Sequence, residues 1–249
     1  MANSIEISAH VDVGEISRKL SDLAKKQIPF ATALALTRTA QLVKKGTLDV
    51  MRARLDRPTP ITMSSVFVKP ATKARLEARV WFKDSWSSGI PADRYMQPAV
   101  LGGARRHKRF EKALISRQIM KPNQYAVPAK EFLNQYGNIT GGLAKKVLSG
   151  LGAAEMTSGY KANATNSRRS RRKGNADRFF VLHGLDRSSG IWERKATRWG
   201  DAIRPVFLFV DAPYYKVRIP FEKIAANIVK AHLQREFEQA MTKALATAK

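Results

Sequence analysis

The chain has 249 residues, no cysteine and 44% hydrophobic residues, and its 45 Lys and Arg against 20 Asp and Glu give a formal net charge of +25. The absence of cysteine excludes disulfides and thiolate metal sites, and the apolar content excludes wholesale disorder. A net charge this high favours a polyanionic partner, either nucleic acid or an acidic protein surface.

Hydrophobic periodicity predicts the elements of the first part of the chain. Alternating apolar and polar side chains predict strands at residues 4–13, 65–70 and 75–84. Helical spacing predicts helices at residues 15–27 and 29–55, and Pro29 suits the first turn of the second. The last of the three strands has one apolar face, formed by Leu76, Ala78, Val80 and Phe82.

The remaining elements are read in the same way. Helices are predicted at residues 91–103, 108–120, 141–154 and 220–248, the third capped by Asn138 or Thr140. Strands are predicted at residues 123–129, 178–184, 190–196 and 203–211. Residues 156–177 have no periodicity and are rich in Ser, Asn, Gly and Arg, which predicts a flexible loop.

This order of elements predicts an α+β fold, with a mostly antiparallel sheet packed by long N- and C-terminal helices and split by a basic helical and loop insertion. We expect residues 1–100 and 178–249 to form one core domain and residues 101–177 to form the insertion. The N-terminus lacks a signal-peptide pattern and no apolar run is long enough to span a bilayer. A soluble protein made in the cytoplasm, with no membrane partner, is therefore expected.

The positive charge is concentrated in the middle of the chain. Residues 104–176 hold 16 Lys and Arg and three carboxylates, a net charge of +13. Flexible basic segments suit phosphates or an acidic protein surface, although a solvated loop without a partner would look the same. No aromatic residue lies between Lys161 and Arg178, so base stacking is not supported. The predicted contacts to nucleic acid or an acidic partner are Arg105, Arg106, Lys108, Arg109, Arg168, Arg169, Arg171, Arg172 and Lys173.

Signatures of catalysis are missing from the sequence. It contains no phosphate-binding glycine loop, no nucleophile elbow and no zinc-binding helix motif, and its four histidines are far apart. A metal-dependent nuclease could use Glu193, Asp201 and Asp211. We favour the alternative that Glu193 forms an ion pair with Arg194 or Arg204. No catalytic residue, metal or cofactor is therefore predicted, and the chain is not expected to be an enzyme.

Large side chains next to charged residues suggest an interface between subunits, because aromatic residues and Arg are enriched there. They could equally form half-buried edges of the core. The residues predicted for a subunit interface are Trp192, Trp199, Phe237 and Met241.

Several segments resemble the bacteriophage minor tail protein Z family. The stretch IPFATALALTRTAQLVKK resembles the proline-opened, small-residue helix of that family, with Pro29, Ala33, Ala35, Thr37, Arg38, Thr39 and Ala40 at the matching positions. Residues 102–150 and 190–225, followed by a long helix, also resemble these phage proteins. The chain is longer than the better-known member because of its basic middle.

The resemblance implies a structural protein of the virion, made in the host and acting in tail completion or as a head–tail connector in the neck. It implies a ring of identical subunits at the head-proximal end of the tail, which contacts terminator, tail-tube, adaptor or portal proteins and genomic DNA in the lumen. The family brings no catalytic residues. The alternative that the residues leave open is a non-specific nucleic-acid-binding protein.

Overall fold

The computed structural model describes residues 6–10, 22–85, 89–154, 163–184, 189–198 and 200–247. The chain divides into two compact units. Unit 1 is Met1–Gly102 with Tyr215–Lys249, and unit 2 is Gly103–Tyr214. The predicted α+β class, with antiparallel sheets and long N- and C-terminal helices, is confirmed.

The described helices and strands include most of the predicted elements and several short ones that the sequence did not predict. The helices are α1 (Asp22–Arg54), α2 (Pro60–Met63), α3 (Ala92–Leu101), α4 (Arg109–Ser116), α5 (Gly141–Gly150), α6 (Arg168–Lys173), α7 (Asn175–Arg178) and α8 (Phe221–Ala246). The strands are β1 (Glu6–His10), β2 (Val66–Lys69), β3 (Glu77–Phe82), β4 (Gly103–Ala104), β5 (Gln124–Pro128), β6 (Phe179–Leu182), β7 (Gly190–Thr197), β8 (Gly200–Asp211) and β9 (Tyr214–Tyr215). A 3-10 turn covers Lys130–Phe132.

Unit 1 is built on an antiparallel sheet in the order β1–β3–β2, as far as the described residues show. The alternation in β3 buries Ala78, Val80 and Phe82, so the predicted apolar face of this strand is confirmed. The ring of Phe82 lies 5.5 Å from that of Phe221, between centroids, which joins β3 to the start of α8 in the core.

The long helices α1 and α8 pack against each other, in part through small side chains. The buried residues of this contact are Ala31, Ala35, Ala240 and Ala244. The predicted helix boundary at Pro29 is wrong, because α1 includes Pro29. Ile28 and Ala31, on either side of the proline, are fully buried, and this packing holds the helix together across it. Most of the predicted helix at residues 15–27 lies outside the described residues.

Within its described residues, unit 2 is an antiparallel sheet in the order β5–β8–β7–β6. The helices α4 and α5 cover one face of this sheet, where the rings of Phe110 and Phe207 stack 4.5 Å apart. Leu114 of α4 and Val147 of α5 are fully buried in the same core. The side chain of Thr140 accepts a hydrogen bond from the N–H of Leu143 and caps α5, which confirms one of the two predicted caps.

The division of the chain corrects the predicted domain boundaries. Residues 178–214 were assigned to the core with residues 1–100, but β6, β7 and β8 form one sheet with β5, which lies in the predicted insertion. Val127 of β5 pairs with Leu208 of β8, for example. The strands of residues 178–211 therefore belong to unit 2, together with the predicted insertion, because β5 pairs with β8 there.

The predicted flexible loop at residues 156–177 is also wrong over its second half. Residues 168–173 and 175–178 are helical, as α6 and α7. Ser167 caps α6, because its hydroxyl accepts a hydrogen bond from the N–H of Ser170, and Gly174 ends the helix at φ 63°. Residues 155–162 lie outside the described part of the chain.

Replacing Gly190 by alanine is expected to destabilise unit 2 by about 1–3 kcal/mol. A Cβ atom at this position of β7 would overlap the carbonyl oxygen of Phe207 on β8, and a backbone atom cannot rotate away. Urea unfolding measures the effect, with Gly142→Ala as control, since a Cβ at Gly142 meets nothing. Equal stability of both variants would contradict the close approach of β7 and β8.

Candidate polyanion interface

The five cations of α6 form an exposed surface, which we call the α6 basic surface. They are fixed in a helix between the Ser167 cap and Gly174 rather than carried on a loop. None of them forms an ion pair with a carboxylate of the described residues. The surface consists of Arg168, Arg169, Arg171, Arg172 and Lys173, all exposed.

A hairpin arm, formed by β7 and β8, lies next to α7, the helix that follows α6. Strands β7 and β8 pair with each other from Gly190↔Leu208 to Thr197↔Gly200, but β6 pairs only with residues 190–193 of β7 and β5 only with residues 207–211 of β8. Residues 194–198 and 200–203 therefore extend beyond the neighbouring strands as a two-stranded arm. Its side chains are exposed throughout these residues, and they include Arg194, Lys195 and Arg198.

The end of α6, α7 and the arm border a shallow, open cleft of about 520 Å³, which we call the basic cleft. Five cations and two carboxylates line it. The cations are Lys173, Arg178, Arg194, Lys195 and Arg204, and the carboxylates are Asp177 and Asp201.

The fully buried carboxylate of Glu193 holds α7 against the arm. Arg178 of α7 binds one of its oxygens, and Arg204 of β8 binds the other at 2.7 Å. Arg204 also reaches Glu131 at 3.1 Å, and its hydrogen bond to Glu193 raises the pKa of the guanidinium. The ion pair predicted between Glu193 and Arg204 is confirmed, with Arg178 as a second partner that the sequence did not suggest.

Arg194 takes a different role from the ion pair considered for it. Its guanidinium lies over the ring of Phe180, 5.0 Å from the centroid, and donates a hydrogen bond to the carbonyl oxygen of Asp177 at 3.2 Å. This guanidinium forms no ion pair with the described carboxylates. Arg194 therefore joins the arm to α7 while it keeps its full charge at the cleft.

The second predicted basic group, at residues 105–109, has one member in an internal ion pair. Arg105 binds the buried carboxylate of Glu111 through two nitrogens, at 2.5 and 2.6 Å, and stacks on the ring of Tyr125. Its charge is therefore paired inside the chain, and its assignment as a contact to nucleic acid or an acidic partner stays a prediction. Arg106, Lys108 and Arg109 are exposed, as a contact surface requires.

Burial alone would raise the pKa of Glu111, but its hydrogen bonds lower it below the ordinary value. The donors are Arg105 and the backbone N–H groups of Lys108 and Ala126, at 2.7 and 3.0 Å for the two backbone groups. These contacts connect the start of α4 to β5.

Glu111 is expected to stabilise unit 2 at neutral pH and to lose this contribution in acid. Because its pKa is lower in the folded chain than in the unfolded chain, where it is about 4.3, the stabilisation is complete above that value and disappears as the pH falls through the folded pKa. Urea unfolding of the wild type and Glu111→Gln between pH 7 and pH 3 measures this. The difference in unfolding free energy between them should shrink in acid, and a constant difference would contradict the prediction.

The residues predicted for a subunit interface have different positions. Trp192 is half-buried and alternates with the buried Ile191 and Glu193, so it lies on the sheet face opposite the α4–α5 side. Phe237 and Met241 are half-buried against the alanine contact of α1 and α8 within the same chain. Trp199 lies outside the described residues. Their role between subunits stays a prediction.

The carboxylates considered for a nuclease are not brought together as a metal site. Glu193 is occupied by two guanidiniums, and no group of three His, Asp or Glu residues in the described ranges could hold a metal ion.

None of the described helices combines the length and the apolar character needed to cross a bilayer.

Of the residues in the cleft, sequence reasoning missed Arg178, Arg194 and Lys195 as parts of a basic surface. The sequence contained one signal for two of them, because Arg194 and Lys195 follow Glu193 near the end of the strand predicted at residues 190–196. Their closeness to α6, however, depends on how the strands pair in the sheet.

Comparisons with protein-family models, with curated proteins and with solved structures found no match.

Proposed function

We propose that this chain is a structural protein of a bacteriophage particle, a tail-completion or head–tail connector component that assembles as a ring in the neck. It acts by assembly and not by catalysis. The observation that carries the proposal is the α6 basic surface, which holds five exposed cations at fixed positions without a described carboxylate partner.

Such a surface repels itself in the isolated chain. Five like charges within six residues raise the free energy of the helix, and no ion pair with a described carboxylate offsets this. A polyanionic neighbour removes the repulsion and releases bound counterions. In a ring, every subunit presents the same surface, so weak single contacts act together on one partner.

The resemblance to minor tail protein Z supports the same proposal. The segment around Pro29 that resembles the family lies within α1, and the segment at residues 190–225 covers β7, β8, β9 and the start of α8. These segments contribute buried residues to the core of each unit, although the second of them also contains the exposed arm.

The second candidate function is a free, non-specific nucleic-acid-binding protein. The basic cleft favours it, because its cations come from α6, α7, β7 and β8 of one chain and need no second subunit to converge. The two functions differ in where the chain is found: the first requires association with neck or tail proteins, and the second requires only nucleic acid.

Removal of the gene from the phage that encodes the chain tests the proposal. We expect heads and tails that fail to join or to hold DNA, and rescue when the wild-type chain is supplied in trans. The same chain with Lys223→Gln and Lys230→Gln, two exposed positions of α8 outside unit 2, serves as a control for altered net charge and should rescue as well. Normal infectious particles without the gene would contradict the proposal.

A further inference from the structure

We propose that the basic cleft, together with the α6 basic surface, binds the phosphodiester backbone of duplex DNA without regard to base sequence. This deepens the proposed function by choosing between its two kinds of polyanionic partner. It rests on the proposed function in one respect, since both place the contact with the polyanion in unit 2.

The first step concerns which cations are available. Arg178 and Arg204 are occupied by Glu193, and Arg204 also by Glu131, so they fix the cleft rather than contact a ligand. Lys173, Arg194 and Lys195 are exposed and have no ion pair among the described residues. Two different elements, α6 and the arm, thus present unneutralised charge to the same cleft.

The carboxylates near the cleft do not cancel this charge. Asp177 and Asp201 line it, Glu193 lies buried beneath it and Glu131 binds Arg204, so five lining cations face four carboxylates and one positive charge remains. The four arginines of α6 that precede Lys173 add to the positive side, and α6 itself contains no carboxylate. The surface as a whole therefore attracts a polyanion.

The second step concerns the class of partner. Protein–protein interfaces have an apolar core, whereas protein–DNA interfaces are more polar and much more positive. The lining of the cleft contains no apolar side chain larger than that of Ala196, and α6 contains only Arg, Ser and Lys. Ile203 is exposed on the arm but does not line the cleft. An acidic protein would therefore meet positive charge at this surface, but no large apolar side chain that could form the core of an interface.

The third step distinguishes a duplex from a single strand. Proteins that bind single strands stack bases on free aromatic rings. Two rings of β6, which directly follows α7, are covered: Phe179 is buried beside the guanidinium of Arg178, and Arg194 lies over Phe180. The described residues that line the cleft include no aromatic ring, and its cations suit the regularly spaced phosphates of a duplex and carry no sequence information.

Fluorescence anisotropy with the full-length chain tests this inference. The probes are two unrelated duplexes of about 25 base pairs, a single strand of the same length and polyglutamate. We expect equal affinity for both duplexes, weaker binding of the other two probes, and a steep fall in affinity with salt. Tighter binding of polyglutamate or of the single strand than of the duplexes would overturn the inference.

The variant that isolates the cleft is Lys173→Gln with Lys195→Gln, because both lysines line the cleft and are exposed, whereas Arg194 also joins the arm to α7. Loss of two phosphate contacts should weaken duplex binding roughly 10- to 100-fold at about 0.1 M salt and reduce the slope of log affinity against log salt by about 1.8. The matched control, Lys223→Gln with Lys230→Gln, removes the same charge from α8 and should retain the affinity and slope of the wild type. Thermal melting confirms that both variants are folded.

The outcomes separate this inference from the proposed function. If the cleft variant binds duplexes as the wild type does, the inference is overturned, whether or not the chain is found in particles. If the cleft variant loses duplex binding and the control does not, the inference stands even where the chain is absent from particles, and only the proposed function fails.

Discussion

Replacing the five cations of the α6 basic surface by glutamine is expected to leave the chain folded and to weaken polyanion binding by at least about 100-fold. Glutamine keeps the helix, because its propensity is close to those of Arg and Lys, and the side chains it replaces are exposed and unpaired among the described residues. Removing like charges from six consecutive residues relieves repulsion. The melting temperature should therefore stay the same or rise.

The effect of these substitutions is measured by duplex binding and by the rescue of particle assembly. Its control replaces five exposed lysines of unit 1 by glutamine, which matches the change in net charge: Lys69, Lys216, Lys223, Lys230 and Lys243. We expect the control to bind and to rescue while the α6 variant does neither. Equal binding by both variants would mean that net charge, and not this helix, attracts the partner.

Replacing Glu193 by alanine is expected to destabilise unit 2 by about 2–4 kcal/mol. The carboxylate is fully buried between the guanidiniums of Arg178 and Arg204, so its loss leaves two like charges facing each other across a gap. Both arginines are partly exposed and regain some hydration in the variant. The expected loss of stability is therefore smaller than for a fully enclosed ion pair.

Urea unfolding compares this variant with Asp201→Ala, which removes an exposed carboxylate from the same arm and should change stability by no more than about 0.5 kcal/mol. Duplex binding should weaken in the Glu193 variant, because α7 and the arm lose their shared anchor. Equal stability of the two variants would show that Glu193 does not hold these elements together.

Much of the fold could be predicted because its elements have strong periodicity. The alternation in β3 and the long amphipathic pattern of α8 identified a strand face and a helix that the structure contains. The boundary between units could not be predicted, because it depends on the pairing of β5 with β8, more than 70 residues apart in the chain. Local patterns carry no information on such a partner.

The candidate site was predicted only in part. The cations of α6 were identified from composition, but their helix was missed because a six-residue segment without apolar side chains has no hydrophobic period. The cap at Ser167 and the stop at Gly174 were the readable signals. Arg105 looked like part of a basic patch, because its partner Glu111 reaches it only once α4 has formed.

The most direct test of the proposed role is electron microscopy of purified particles of the phage that encodes this chain, with an antibody or a fused tag marking the chain. The account predicts a ring of label at the head-proximal end of the tail, with unit 2 facing DNA or an acidic neighbour. Particles that carry no label, or label elsewhere than the neck or tail, would contradict it.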